Sequence, residues 1–197
     1  MLQLTNIRVF LLLLSCWALF IFAAAAQGRD CLWEEVGNNR QMPLCRIVQQ
    51  PLQGDAAASA GRVQHWVKIS AALIERQGDI YVQIYAEIDD DAARWGEIAA
   101  NSVCLLYATD GKRPLRLRTL RGAAPAQAGT EEAGKLQYNC VFTCSRKQLR
   151  RLRRMEVGSI ELSWQAAGRR TFLLYDVDAL ARMADCAEGI DTDYSGD

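Results

Sequence analysis

Two runs of strict alternation constrain this chain more than any other feature. Val63, His65, Val67, Ile69, Ala71 and Leu73 occupy every second position, with Gln64, Lys68 and Ser70 among the residues between them. Ile80, Val82, Ile84, Ala86 and Ile88 repeat the pattern against Tyr81, Gln83, Tyr85 and Glu87. Successive side chains of an extended chain point to opposite faces, so each run makes a strand with one apolar side. On a helix the same residues would scatter round the axis. Gly78-Asp79 between the runs is a turn signal, and the pair reads as a hairpin.

The pattern continues downstream. Residues 103–107 lead into Asp110-Gly111, a pair that tolerates positive φ and favours a hairpin, with a return strand over residues 114–120. In that strand Leu115 and Leu117 face one way and Arg116 and Arg118 the other. Leu136, Tyr138, Cys140 and Phe142 alternate, as do Ile160, Leu162 and Trp164, and Ala167-Gly168-Arg169 turns the chain into a last strand over residues 171–176. Asp178 can cap a closing helix that carries Cys186. Residues 50–61 and 121–134 lack a usable period and read as loops. About seven or eight short strands with one or two short helices predict a mainly β fold, an antiparallel β-sandwich or flattened barrel stabilised by disulfides.

One helix stands out by its charge. Ser145 and Gln148 form a capping box, and Leu149 and Leu152 follow at helical spacing, which predicts a helix over residues 146–157 ended by Gly158. Arg146, Lys147, Arg150, Arg151, Arg153 and Arg154 cover the rest of it. Such a run is either a solvated face whose long stems coat apolar surface or a docking surface for phosphate-rich or carboxylate-rich partners. With Arg116 and Arg118 it makes a candidate basic ridge for an anionic partner, an envelope component or an acidic protein. No aromatic residues are interleaved for base stacking, which argues against nucleic acid.

The overall charge of zero hides segregation. Residues 27–111 hold 7 basic and 12 acidic residues, residues 112–186 hold 15 and 7, and the remainder holds none and 4. The basic part therefore either meets an anionic partner or pairs internally with the acidic parts.

Arg8 precedes an apolar run over residues 9–26, with small residues at Ala24 and Ala26, the layout of a secretory signal cut near Gln27. The same run could stay as an anchor, and Leu13-Leu14-Ser15-Cys16 resembles a lipobox. The expected organisation is a signal peptide over 1–26, one β domain over 27–186 and an acidic disordered tail over 187–197. Export makes the location periplasmic or secreted, with membrane anchoring through residues 9–26 as the alternative. Six cysteines follow the run, Cys31, Cys45, Cys104, Cys140, Cys144 and Cys186, and an even count behind an export signal favours disulfides. Cys140 and Cys144 are candidates for a local bridge, Cys31 and Cys45 for a second, and Cys104 and Cys186 for a third.

No catalytic constellation is visible. The single histidine, His65, sits in the apolar register of a strand and reads as structural. A catalytic base would need a nucleophile and an orienting carboxylate that the sequence does not identify. Asp89-Asp90-Asp91 reads as a solvated turn. Asp191-x-Asp193-x-Ser195-Gly196 matches half an EF-hand loop but supplies too few oxygens for calcium. Neither cofactor nor metal is expected.

Trp33, Cys45-Arg-Ile-Val-Gln49, the run from Leu136 to Cys144 with its amphipathic helix, Gly158, and Arg170-Thr-Phe-Leu-Leu174 before Ala179-Leu180 together resemble the bacterial invasion-associated locus B family. The resemblance implies an exported, non-enzymatic, β-sandwich-like protein, in some members linked to host-cell entry. The leading expectation is thus a binding protein of the bacterial envelope. The alternatives are a periplasmic inhibitor or immunity protein that blocks an enzyme through a loop such as residues 122–134, and, further off, a hydrolase using His65. A membrane surface is compatible with the basic ridge, and the sequence gives no oligomeric state.

Overall fold

The computed structural model describes residues 32–51, 66–90, 92–127 and 135–188. All of these except Leu32 belong to one compact unit that begins at Trp33. The alternating runs form β4 (Trp66–Arg76) and β5 (Asp79–Asp89), paired antiparallel along their whole length from Val67↔Ile88 to Arg76↔Asp79. The turn between them is Gln77-Gly78, one residue earlier than the sequence signal. Both residues have positive φ, 54° and 84°, the backbone that matches the twist of a two-residue hairpin. Val63 and His65 lie outside the described residues, as does most of the expected loop over 50–61.

The remaining strands are β1 (Glu34–Val36), β2 (Asn39–Gln41), β3 (Cys45–Pro51), β6 (Val103–Ala108), β7 (Leu115–Thr119), β8 (Ala126–Gln127), β9 (Lys135–Cys144), β10 (Val157–Trp164) and β11 (Gly168–Leu173). The helices are α1 (Ala92–Trp95), α2 (Arg146–Leu152) and α3 (Ala179–Glu188). Every pairing between strands is antiparallel. All eleven strands join one sheet in the order β1-β2-β4-β5-β9-β7-β6-β10-β11, with β3 on β4 and β8 on β9. The eight longer strands match the expected count, and the extra three have two or three residues each.

The mainly β, antiparallel expectation therefore holds, and the strands are linked by hydrogen bonds into one continuous sheet. That sheet is not closed into a barrel. Beyond β11, Tyr175 N–H donates to the Ile47 carbonyl of β3 at 3.2 Å, but no ladder joins the two strands. One side of the sheet holds the apolar face of the longer strands, including Ile69, Leu73, Ile84, Ile88, Leu106, Leu117, Tyr138, Phe142 and Ile160, all buried. Leu180, Met183 and Ala184 of α3 and Leu149 and Leu152 of α2 are buried with them. At one end Trp164 receives Trp95, Tyr138 and Phe172 edge-on, with centroids 4.8, 5.9 and 6.0 Å away. Tyr138 Oη donates to the Gly96 carbonyl at 2.8 Å, which ties the loop after α1 to β9.

Three expectations need correction. The expected loop over 121–134 is partly structured. Ala123 and Ile98 exchange backbone hydrogen bonds at 2.8 and 2.9 Å, and β8 pairs with β9, because edge amides that leave water must find partners. The charged helix stops at Leu152, five residues short of Val157. Val157 and Gly158 open β10, where the Val157 amide donates to the Val177 carbonyl, so sheet pairing overrides the helical spacing.

The disulfides are the third. Cys45, Cys104, Cys140 and Cys144 are free. Cys140 and Cys144 sit on one straight strand, where four residues at about 3.3 Å each hold their Cα atoms roughly 13 Å apart, about twice the reach of a disulfide. Cys186 is disulfide-bonded, and Cys104, being free, is not its partner. The Cys140–Cys144 and Cys104–Cys186 bridges are thus absent, and Cys45 is not bridged to Cys31.

Candidate functional site: a basic groove beside the second helix

The basic segment gets its shape from the end of a strand. β9 stops at Cys144, and Ser145, with extended backbone at φ −66° and ψ 157°, caps α2. Its hydroxyl accepts from the Gln148 amide at 3.3 Å while Gln148 Oε1 accepts from the Ser145 amide at 2.8 Å. The capping box read from the sequence is therefore formed, a feature worth about 1 kcal/mol. Leu149 and Leu152 point into the core. A tight turn then lets the Met155 amide reach the Leu152 carbonyl at 3.1 Å and buries Met155.

Because β9 ends there, only Arg118 and Thr119 of β7 pair with it. The first half of β7 has no strand partner on that side, and α2 supplies donors to it and to the turn before it. Gln148 Nε2 donates to the Arg116 carbonyl at 2.6 Å. The Arg151 guanidinium donates to the Pro114 carbonyl at 3.4 Å and also to the Arg113 carbonyl. Gln148 thus takes the place of the missing strand at Arg116, while Arg151 is held by carbonyls of the turn that precedes β7.

Lys147, Arg150 and Arg151 follow at i, i+3 and i+4 on one face of α2, and Arg154 comes next in the turn after it. They line a groove of about 620 Å³ whose other wall is the β6–β7 turn, with Ala108, Asp110 and Lys112, and whose lining also includes Met155. Asp110 is the one acidic residue in it. Its Oδ2 lies 2.6 Å from Lys112 Nζ and its Oδ1 accepts from the Lys112 amide at 3.1 Å. Hydrogen bonds from Lys112 hold the Asp110 carboxyl below its ordinary value. Lys147, Arg150 and Arg154 are exposed, and no carboxylate among the described residues pairs with them.

The structure divides the expected ridge. Four of its members, Lys147, Arg150, Arg151 and Arg154, enter the groove. Arg116 and Arg118 are exposed on the face of β7 opposite its buried leucines. Arg153 turns the other way, with Nε 3.9 Å from Asp185 of α3. Arg146 lines a different cleft of about 580 Å³, beside Glu35, Arg40, Glu75 and Asp79. Lys112 was not singled out from the sequence. It lies 35 residues from Lys147 in the chain, and only the docking of α2 on β7 brings them together. The helical period of Lys147, Arg150, Arg151 and Arg154 was the readable part of the signal.

The other candidates fare differently. His65 and the half EF-hand sequence lie outside the described residues, as do residues 128–134 of the proposed inhibitory loop. Asp90 is a structural acceptor rather than a solvated turn residue: its carboxylate takes Trp95 Nε1 at 2.9 Å and Arg94 Nη1 at 3.0 Å. Burial pushes the Cys140 and Cys144 thiols up to about 12. Cys104 moves the same way, first through burial and then through Cys140 and Glu161. Thiols held protonated in this way are poor nucleophiles. Among the described residues no three His, Cys, Asp or Glu side chains are placed to hold a metal ion. No helix among them is long and apolar enough to cross a membrane. No protein-family model, curated protein or solved structure matches this chain.

Proposed function

We propose that this chain is a non-enzymatic binding protein of the bacterial envelope that recognises an anionic partner through the basic groove between α2 and the β6–β7 turn. One observation carries the reading: five cationic side chains line one concavity that contains a single carboxylate, itself paired with Lys112. Like charges gathered on a surface repel one another, so a cluster of this kind costs stability unless a partner of opposite charge offsets it. Export is supported by the apolar run over residues 9–26, while the four free thiols leave the bonded Cys186 as the one cysteine that still speaks for it. The residues that resemble the invasion-associated locus B family point to the same class of protein, and to host-cell association as its setting.

The test is retention. Replacing Lys147, Arg150 and Arg154 by glutamine should weaken association with an envelope extract, and should flatten the dependence of that association on salt. Equal, salt-insensitive retention of the wild type and the triple variant sinks the proposal.

A further inference from the structure

We propose, resting on that reading of the groove, that its ligand is a small molecule with two phosphate groups on a compact frame. Charge, size and surface chemistry each favour this over a flat polyanion. Lys112, Lys147, Arg150, Arg151 and Arg154 bring five positive charges and Asp110 one negative, a net of four. Two phosphomonoesters carry about −3 to −4 at neutral pH, which matches that net charge. A carboxylate carries one charge and two acceptor oxygens, so three or four of them would have to crowd into the same space.

The dimensions agree. From Lys147 to Leu152 the helix rises about 7.5 Å at 1.5 Å per residue, and Arg154 lies two residues beyond its end. The groove volume of about 620 Å³ is that of a small-molecule site. Arg151 gives it a fixed element, because the carbonyls of Pro114 and Arg113 already hold its guanidinium. A cation positioned before the ligand arrives loses less rotamer freedom on binding. Ala108 and Met155 contribute an apolar part of the lining that suits an organic frame. A bilayer is the less suitable occupant. The exposed large apolar side chains among the described residues, Leu32, Val36, Leu44, Leu120, Leu173 and Tyr175, are not part of the groove lining, so the lining itself offers a membrane little to insert.

The experiment is calorimetric titration with fructose 1,6-bisphosphate, glucose 6-phosphate and citrate, alongside sedimentation with vesicles containing phosphatidic acid. The expected result is one bisphosphate per chain, bound at least tenfold more tightly than the monophosphate or citrate. Lys147→Gln with Arg150→Gln and Arg154→Gln should lose at least tenfold, Asp110→Asn should tighten binding severalfold, and Arg170→Gln on exposed β11 should change nothing. If the triple variant has no cooperative melt, Arg150→Gln and Arg154→Gln are measured singly, and each should lose severalfold. Equal affinity for the monophosphate or citrate, or binding to vesicles alone, overturns the inference. If the bisphosphate fails at millimolar concentration while envelope retention still needs the same residues, the ligand class falls and the groove's role stands. If both fail, both fall.

Discussion

The Gln148 side-chain amide donates to the Arg116 carbonyl at 2.6 Å, and the same side chain accepts from the Ser145 amide at 2.8 Å. One residue therefore both starts α2 and seals it to the open edge of β7. Gln148→Ala removes both bonds and should cost about 1–2 kcal/mol, the sum of a lost cap and a partly exposed hydrogen bond. Because the groove depends on that docking, anion affinity should fall as well. Urea denaturation with a parallel binding titration checks both, and unchanged affinity would mean that α2 stays docked without Gln148.

Much of this arrangement was legible in the sequence, for a physical reason. The strands, the capping box and the outward Arg116 and Arg118 all follow from local periodicity, which a single stretch of chain carries by itself. What could not be read was where β9 ends relative to β7, since that depends on register between strands distant in sequence. The groove exists only because β9 stops short, which is why Lys112 joined the site unannounced and Arg153 left it. The cysteines were misread through a compartment argument. Cys140 and Cys144 continue the alternation of Leu136, Tyr138 and Phe142, and that pattern already placed both on one face of one strand, too far apart to bond.

Asp90 shows how a run of like charges can conceal a structural residue. Trp95 is buried edge-on against Trp164, and its indole N–H leaves the apolar cluster only to meet Asp90 Oδ2. Asp90→Ala strands that donor and should destabilise the fold by about 1–3 kcal/mol. Asp90→Asn keeps an acceptor and should cost less. Tryptophan fluorescence during chemical unfolding gives both values, and an alanine variant as stable as the wild type would show that another group takes the indole.

The burial of the thiols predicts their order of reaction. Cys45 is half-buried, whereas Cys104, Cys140 and Cys144 are 0%, 1% and 6% exposed. Under native conditions an alkylating reagent should mark Cys45 first, and the other three only as the protein unfolds. Peptide mapping after timed labelling resolves the four sites. Early modification of Cys104 or Cys140 would mean that the sheet opens locally at β6 or β9.

Those thiols also make the fold sensitive to alkali, with a sign that can be worked out. Burial raises Cys140 and Cys144 from the ordinary 9.0 to about 12, and raises Cys104 as well. Above pH 9 the unfolded chain has released these protons while the folded chain still holds them. The unfolded state then binds fewer protons, so stability falls as pH rises. The contribution is complete below about pH 9 and is lost progressively towards about pH 12. Each thiol should cost about 1.4 kcal/mol per pH unit in that window, roughly 4 kcal/mol for the three together. Cys140→Ala should reduce the slope by about a third. Urea midpoints followed from neutral to alkaline pH measure it, and a flat profile would mean that these three sulfurs carry no titratable proton.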